Sequence, residues 1–95
     1  MGKQPQLLGQ ALHQLVHDLG IDKPLSEFEV ITSWSAIVGE QISRVSTAQR
    51  IENGVLFVAV STAPWRAELS LRRREIAEKI NHYTGRKVVS DIRFR

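Results

Sequence analysis

Two histidines spaced four residues apart are the side chains whose spacing best suits a metal ion. His13 and His17 would share one face of a helix, and Asp18 follows directly. A zinc site uses at least three protein ligands, and the remaining histidine, His82, is distant in sequence. Both histidines also fall on the polar side of the predicted helix. We therefore predict no metal site.

Nucleophilic catalysis and nucleotide chemistry have less support still. No serine stands in a G-x-S-x-G context, and the chain contains neither a P-loop nor a G-x-G-x-x-G motif. Its lack of cysteine excludes disulfides and thiolate metal sites and suits a reducing compartment. The sequence thus predicts a protein that is not an enzyme, with no catalytic residue, no cofactor and no small-molecule substrate.

Arginine and lysine supply the remaining chemistry, which is anion binding. Residues 44–95 hold 11 basic and 5 acidic side chains, a net charge of +6, whereas residues 1–43 hold 2 basic and 5 acidic ones, a net charge of −3. A basic half of this kind attracts polyanions, above all nucleic acid. The predicted nucleic-acid-binding residues are Arg44, Arg50, Arg66, Arg72, Arg73, Arg74, Lys79, Arg86 and Lys87.

An alternative interpretation of the three consecutive arginines remains open. Consecutive helical residues fan through about 200°, so Arg72, Arg73 and Arg74 cannot all point the same way on one helix. Nearby glutamates at helical spacing, Glu68 and Glu75 among them, could pair with these arginines on a solvated helix face. The excess of positive charge favours a binding surface over such pairing.

The elements that carry these residues follow from hydrophobic periodicity. Apolar residues at helical spacing predict a helix from about Gln6 to Leu19, ended by Gly20. The stretch Gly20 to Pro24 is predicted as a loop. Ser26 and Glu29 match a capping box, which predicts that a second helix begins at Ser26 and continues to about Ile42.

A β-hairpin, a helix and a final strand complete the predicted order. Asn53-Gly54 indicates a tight hairpin turn, and the apolar run 55–60 is typical of a central strand covered on both faces. Pro64 is expected to open one helix ending at Gly85, with an inward stripe of Trp65, Leu69, Ile76, Ile80 and Tyr83. Residues 87–95 read as the last strand.

The predicted fold class is α+β, with the order α-α-β-β-α-β and a three-stranded sheet packed against helices. We expect a single domain over residues 1–95, comprising an N-terminal helix and loop (1–24) and a main module (26–95). Its structural core is expected to include Trp34, Gly39, Trp65 and Leu69. No N-terminal apolar run is long enough for a signal peptide or membrane span, so we expect a cytoplasmic protein with no membrane partner.

Several of these residues together resemble a known family. Trp34 followed by Ile37-Val38-Gly39, then Pro64-Trp65-x-x-Glu68-Leu69 and Ile80-Asn81, is similar to the DciA family of bacterial proteins, long catalogued as a domain of unknown function. Between these motifs lies the pattern Ile51-x-x-Gly54-x-Leu56-x-Val58-x-Val60, and Gly85 precedes the last strand. The resemblance covers about residues 26–95.

The resemblance implies a KH-like module that binds DNA with little sequence preference and assists or loads the replicative DnaB-type helicase. Longer members of the family carry an additional extension that contributes to helicase contact. The G-x-x-G loop of KH domains is absent from this sequence, so arginine and lysine side chains would have to bind the phosphates.

The expected partners are therefore DNA, single-stranded or duplex, and the replicative helicase. Two alternatives stay open. The chain could be a protein-interaction module whose basic face docks an acidic partner without nucleic acid, or it could bind RNA.

Overall fold

The computed structural model describes residues 5–95, with side chains from residue 9 onward. Helices cover one face of a three-stranded mixed sheet, which confirms the predicted α+β class. The helices of this range are α1 (Pro5–Leu19), α2 (Asp22–Thr32), α3 (Trp34–Val38), α4 (Glu40–Ser43), α5 (Ala63–Leu71) and α6 (Arg73–Thr84). The strands are β1 (Ser46–Glu52), β2 (Val55–Val60) and β3 (Asp91–Phe94).

The prediction that Ser26 caps the start of the second helix is wrong. The helix begins at Asp22, four residues before Ser26. Pro24 fits because a first-turn residue has no intrahelical use for its N–H, and Asp22 is favourable beside the positive end of the helix. Ser26 lies inside the helix, where its hydroxyl accepts a 3.5 Å hydrogen bond from Arg86.

The long helix predicted after Ser26 is three short helices instead. The Thr32 hydroxyl donates a 3.0 Å hydrogen bond to the Phe28 carbonyl, and the helix ends before Ser33. A second break falls at Gly39, whose φ of 93° suits only glycine well. Gly39 is exposed and therefore lies outside the core in which it was predicted. Its function is to turn the chain between α3 and α4.

The predicted hairpin is confirmed. Asn53 and Gly54 have φ values of 51° and 80°, as a tight turn between right-twisted strands requires. Strand β2 is central, antiparallel to β1 and parallel to β3. Its alternate residues Leu56 and Val58 are fully buried, but Phe57 between them is only partly buried. The prediction that both faces of β2 are covered is therefore wrong, because Val55, Phe57 and Ala59 all stay partly exposed along the strand.

The single helix predicted between β2 and β3 is also wrong, because the structure has two helices there, α5 and α6. Thr62 caps α5 by accepting a hydrogen bond from the Trp65 backbone N–H at 3.3 Å, and Pro64 lies in the first turn, as predicted. The chain leaves helical geometry at Arg72 and resumes as α6. Tyr83, predicted to point inward, is 45% exposed.

The core lies between the helices and one face of the sheet. Trp34 is buried there, and its indole N–H donates a 3.0 Å hydrogen bond to the Ser46 hydroxyl. Leu69 is fully buried, whereas Trp65 is only partly buried at the edge of the core. The remaining buried apolar side chains are Val30, Ile37, Val38, Ala48, Leu56, Val58, Val60, Ile76, Ala77, Ile80, Val89 and Ile92.

Helix α1 forms as predicted but does not bury its apolar stripe. Leu12, Leu15 and Leu19 are 56%, 53% and 61% exposed. Leu25 and Phe28 on α2 are also exposed. Val16 of the same helix is partly buried and lines a hollow with Leu25 and Phe28, but the three leucines of α1 stay largely exposed.

Candidate nucleic-acid interface

An open depression lies between α6 and the segment that leads into β3. Its volume is about 420 Å³, and its charged lining consists of the basic Arg73, Arg74 and Lys87 and the acidic Glu78 and Asp91. The guanidinium of Arg73 lies 3.5 Å from the carboxylate of Asp91, which positions it beside the first residue of β3. Neither Arg74 nor Lys87 forms an ion pair with an acidic side chain of residues 9–95. Three of the predicted binding residues thus meet at one site.

Asn81 fixes the wall of this depression. Its side-chain carbonyl accepts hydrogen bonds from the backbone N–H groups of Val88 and Val89, both at 2.9 Å. Its side-chain NH₂ donates to the Val89 carbonyl at 2.8 Å. The segment before β3 is therefore held to α6 by one side chain, which satisfies backbone groups that the short strand leaves unpaired.

The break at Arg72 separates the three consecutive arginines. Arg72 forms an ion pair with Glu68 at 2.9 Å, on the opposite side of α6 from the depression. Lys79 lies on that side too, and both line a small hollow with Val38 and Glu75. The structure therefore brings Arg73 and Arg74 together with Lys87 and leaves Arg72 with Lys79.

Arg66 is held by contacts within the fold and is not free to bind a ligand. It is partly buried, and its guanidinium donates a 3.2 Å hydrogen bond to the carbonyl of Val60 at the end of β2. Its Nε is buried without a partner among the described residues. A side chain held in this way presents little charge to a ligand.

Arg86 and Arg44 do not line the depression and contact acidic side chains instead. Arg86 lies 4.0 Å from the carboxylate of Asp22 and joins the end of α6 to α2. Arg44 forms a 2.6 Å ion pair with Glu40, and both side chains are more than 70% exposed. Such exposed pairs contribute little to stability, so Arg44 remains available to an anionic ligand.

The uncovered side of the sheet carries a second group of basic residues, which we call the open face. A bulge between Ala48 and Arg50 shifts the register of β1 by one residue. Before the bulge, Ser46 and Ala48 point into the core, and after it Arg50 lies opposite Phe57. The bulge thus turns Arg50 away from the core and onto the open face.

Phe57 lies at the centre of the open face. Arg50 on β1 and Arg93 on β3 are its direct neighbours in register. The guanidinium of Arg50 lies 4.2 Å from the centre of the Phe57 ring, and that of Arg95 lies 5.1 Å from it. Both distances are within the range of cation–π attraction.

The sequence-based prediction did not select Phe57, Arg93 or Arg95: an exposed Phe57 would suggest base stacking, but the strand pattern favoured a covered face. The signal was present, since the last strand alternates between apolar residues and a polar set that includes Arg93 and Arg95. The apolar run of β2 concealed it, because such a run is typical of strands covered on both faces. Only the topology shows that no described helix covers Phe57.

The basic surfaces meet at the edge strand β3. Asp91 contacts Arg73, and Arg93 is the next residue along on the same side of the strand, about 7 Å away at the usual rise of a strand. The depression beside α6 and the open face therefore adjoin around β3. They form one continuous surface in which basic side chains outnumber the acidic ones, Glu52, Glu78 and Asp91.

Comparison with protein families shows the family to which the chain belongs. The model of the family described as "Dna[CI] antecedent, DciA" matches residues 7–94. The chain belongs to the DciA family. The match includes α1 and extends over every strand, so it exceeds the range that the sequence motifs indicated.

Curated relatives of this DciA-family chain are mycobacterial. A UPF0232 protein of Mycolicibacterium smegmatis is 31% identical over 91 residues, which are 96% of this chain and 47% of the relative. A UPF0232 protein of Mycobacterium tuberculosis strain H37Rv is 30% identical over 96% of this chain and 49% of its own length. The chain thus spans about half the length of the curated relatives it matches.

Two other features are absent from the residues that the structure describes. No helix there has the length and apolar character to cross a membrane. No group of three or more histidine, cysteine or acidic side chains is arranged there to hold a metal ion. His17 instead contacts Asp22, with 3.2 Å between its Nδ1 and a carboxylate oxygen.

Proposed function

We propose that this DciA-family chain is a non-enzymatic module that binds DNA without sequence preference and assists or loads the bacterial replicative DnaB-type helicase. The observation that supports DNA binding best is the continuous basic surface around β3. It combines Arg73, Arg74 and Lys87 on one side with Arg93 on the other.

The chemistry of this surface suits phosphates better than base edges. Guanidinium and ammonium groups on exposed side chains neutralise backbone phosphates and contribute affinity that does not depend on sequence. Reading base edges requires a helix or ribbon inserted into a groove. The arginines here lie around a sheet edge and at the broken start of a helix, so contacts with the backbone dominate.

The proposal of a non-enzymatic function is supported by the contents of the depression. Ser90 is the one hydroxyl that lines it, and that hydroxyl donates a 3.1 Å hydrogen bond to the Gly54 carbonyl. No histidine lines this depression. A nucleophile needs an adjacent base. The carboxylates of Glu78 and Asp91 line the depression too, but the Ser90 hydroxyl donates to a backbone carbonyl instead of to either of them.

The proposed helicase contact is supported by the family and by α1. The exposed leucines of this helix lie in the acidic half of the chain, away from the arginines of the sheet. A partner bound at α1 would leave the basic surface accessible to DNA. This division assigns a separate surface to each partner.

Titration of the purified chain with labelled duplex DNA, single-stranded DNA and RNA of equal length tests the proposal. Fluorescence polarisation at low salt should show binding to DNA, and scrambling the DNA sequence should change the affinity little. Binding to RNA alone would support the RNA-binding alternative. Absence of binding to all three would leave the acidic-protein alternative and contradict the proposal.

A further inference from the structure

We propose that the open face is a binding site for unstacked bases of single-stranded DNA, with Phe57 as the stacking platform. This inference rests on the proposed DNA-binding function and adds the strand type and the residue that recognises it. It concerns the sheet, whereas the depression beside α6 contacts only phosphates.

The position of Phe57 is the first reason. Its ring lies in the central strand with Arg50 and Arg93 directly opposite on the two neighbouring strands. Val55 and Ala59, the next residues of β2 on the same face, are small and only partly buried. The ring therefore belongs to an apolar strip, and basic side chains flank the ring itself on both neighbouring strands, as on single-strand binding surfaces.

The guanidinium groups that cover the Phe57 ring can be displaced by a base. Arg50 lies over the ring, but its side chain is 44% exposed. Stacking of a base on an aromatic ring is stronger than an exposed cation–π contact. A base can therefore take the place of a guanidinium on the ring, and the displaced arginine can then pair with a phosphate.

The charges around Phe57 favour a phosphate backbone. Glu52 and Asp91 share this face, but Glu52 pairs with Arg50 at 2.7 Å and Asp91 contacts Arg73 at 3.5 Å. Arg93 and Arg95 form no ion pair with an acidic side chain of residues 9–95. These two arginines can neutralise the phosphates on either side of a stacked base.

The geometry distinguishes single strands from duplex. In a duplex both faces of each base are occupied by neighbouring bases, so Phe57 can reach none of them without unstacking. In a single strand the bases are accessible and every base has a π face. Phe57 should therefore contribute to single-strand affinity alone, whereas the arginines contribute to both.

The test compares Phe57→Leu with the unmodified chain by fluorescence polarisation at one low salt concentration. The probes are oligothymidylate, an abasic oligonucleotide and a duplex, all of equal length. We expect Phe57→Leu to bind oligothymidylate at least about fivefold more weakly, with unchanged affinity for the duplex and the abasic strand. Phe57→Trp, which keeps an aromatic face, should retain the binding of oligothymidylate.

Phe94→Leu is the matched control, since it makes the same chemical change on the neighbouring strand. Phe94 packs against the core on the covered side of the sheet, so its replacement should leave the ratio of single-strand to duplex affinity unchanged. Circular dichroism confirms that each variant is folded.

Three results would overturn this inference while leaving DNA binding intact. They are equal affinity of Phe57→Leu and the unmodified chain for oligothymidylate, equal losses on single strand and duplex, and equal binding of abasic and normal strands by the unmodified chain. If the unmodified chain binds no DNA, the proposed function itself fails, which is a different outcome.

Discussion

Asn81 joins the last helix to the last strand by three hydrogen bonds from one side chain. Because a short strand cannot pair all its flanking backbone groups, this amide replaces part of the missing ladder. It also forms one wall of the depression that Arg73 and Lys87 line. A residue with no charge thus determines where charged residues meet.

Replacing Asn81 tests that dependence. Asn81→Ala would leave the Val88 and Val89 N–H groups without their acceptor, so we expect a loss of about 1–3 kcal/mol in the free energy of unfolding. Asn81→Asp keeps the acceptor for the two N–H groups but places a carboxylate oxygen against the Val89 carbonyl, so it should restore only part of the lost stability. Urea denaturation measures both losses, and hydrogen exchange at Val88 and Val89 should accelerate most in Asn81→Ala. Unchanged exchange in that variant would contradict the assigned role.

Trp34 and Trp65 should differ in their contribution to stability. Trp34 is buried and hydrogen-bonded to Ser46, so Trp34→Ala should cost about 3–5 kcal/mol. Trp65 is only partly buried, and Trp65→Ala should therefore cost less. Urea denaturation of the two variants gives the comparison. Equal losses would show that the exposure of Trp65 has no energetic consequence.

At the scale of elements, turn chemistry was easier to predict than helix continuity. Asn53-Gly54 and Pro64 act locally, so their sequence signals were sufficient. The breaks at Ser33 and Arg72 fall within regular hydrophobic patterns and depend on how each helix packs against the sheet. The bulge after Ala48 has no comparable signal, yet it decides that Arg50 belongs to the open face.

Helix α1 should be needed for helicase contact and dispensable for DNA binding. Its exposed leucines give a partner apolar area to bury, and they lie apart from the basic surface. Replacing Leu12, Leu15 and Leu19 with Gln should abolish pull-down by the purified replicative helicase of the same organism. DNA affinity should stay unchanged, because no DNA-binding charge is removed.

The matched control for this prediction replaces Arg73 and Arg74 with Ala. That variant should retain the helicase and weaken the binding of DNA. Full retention of the helicase by the folded triple-leucine variant would exclude α1 as the contact.

At the scale of the whole molecule, charge is divided between the two halves of the chain. The sequence predicted this division and placed Arg73, Arg74 and Lys87 within the basic half. It could not predict that Arg66 would be tied to Val60 or that Arg86 would face Asp22. Arg66 and Val60 are only six residues apart, but the turn between β2 and α5 brings them together. Arg86 and Asp22 are far apart in sequence, and only the tertiary arrangement determines their contact. The candidate surface consequently contains fewer residues from α6 and its exit than were predicted. It contains more residues from the sheet, because Arg93 and Arg95 were not predicted.

The central claim is that DNA binds a localised basic surface around β3, and the salt dependence of duplex binding tests it most directly. If about five phosphates are neutralised, the slope of log affinity against log salt should be near −4.5. Replacing Arg73 and Arg74 with Ala should make the slope shallower by about 1.8, whereas the equal change of charge at Lys3 and Lys23 should leave it unaltered. A flat salt response in the unmodified chain, or equal changes in the two double variants, would contradict a localised DNA-binding surface.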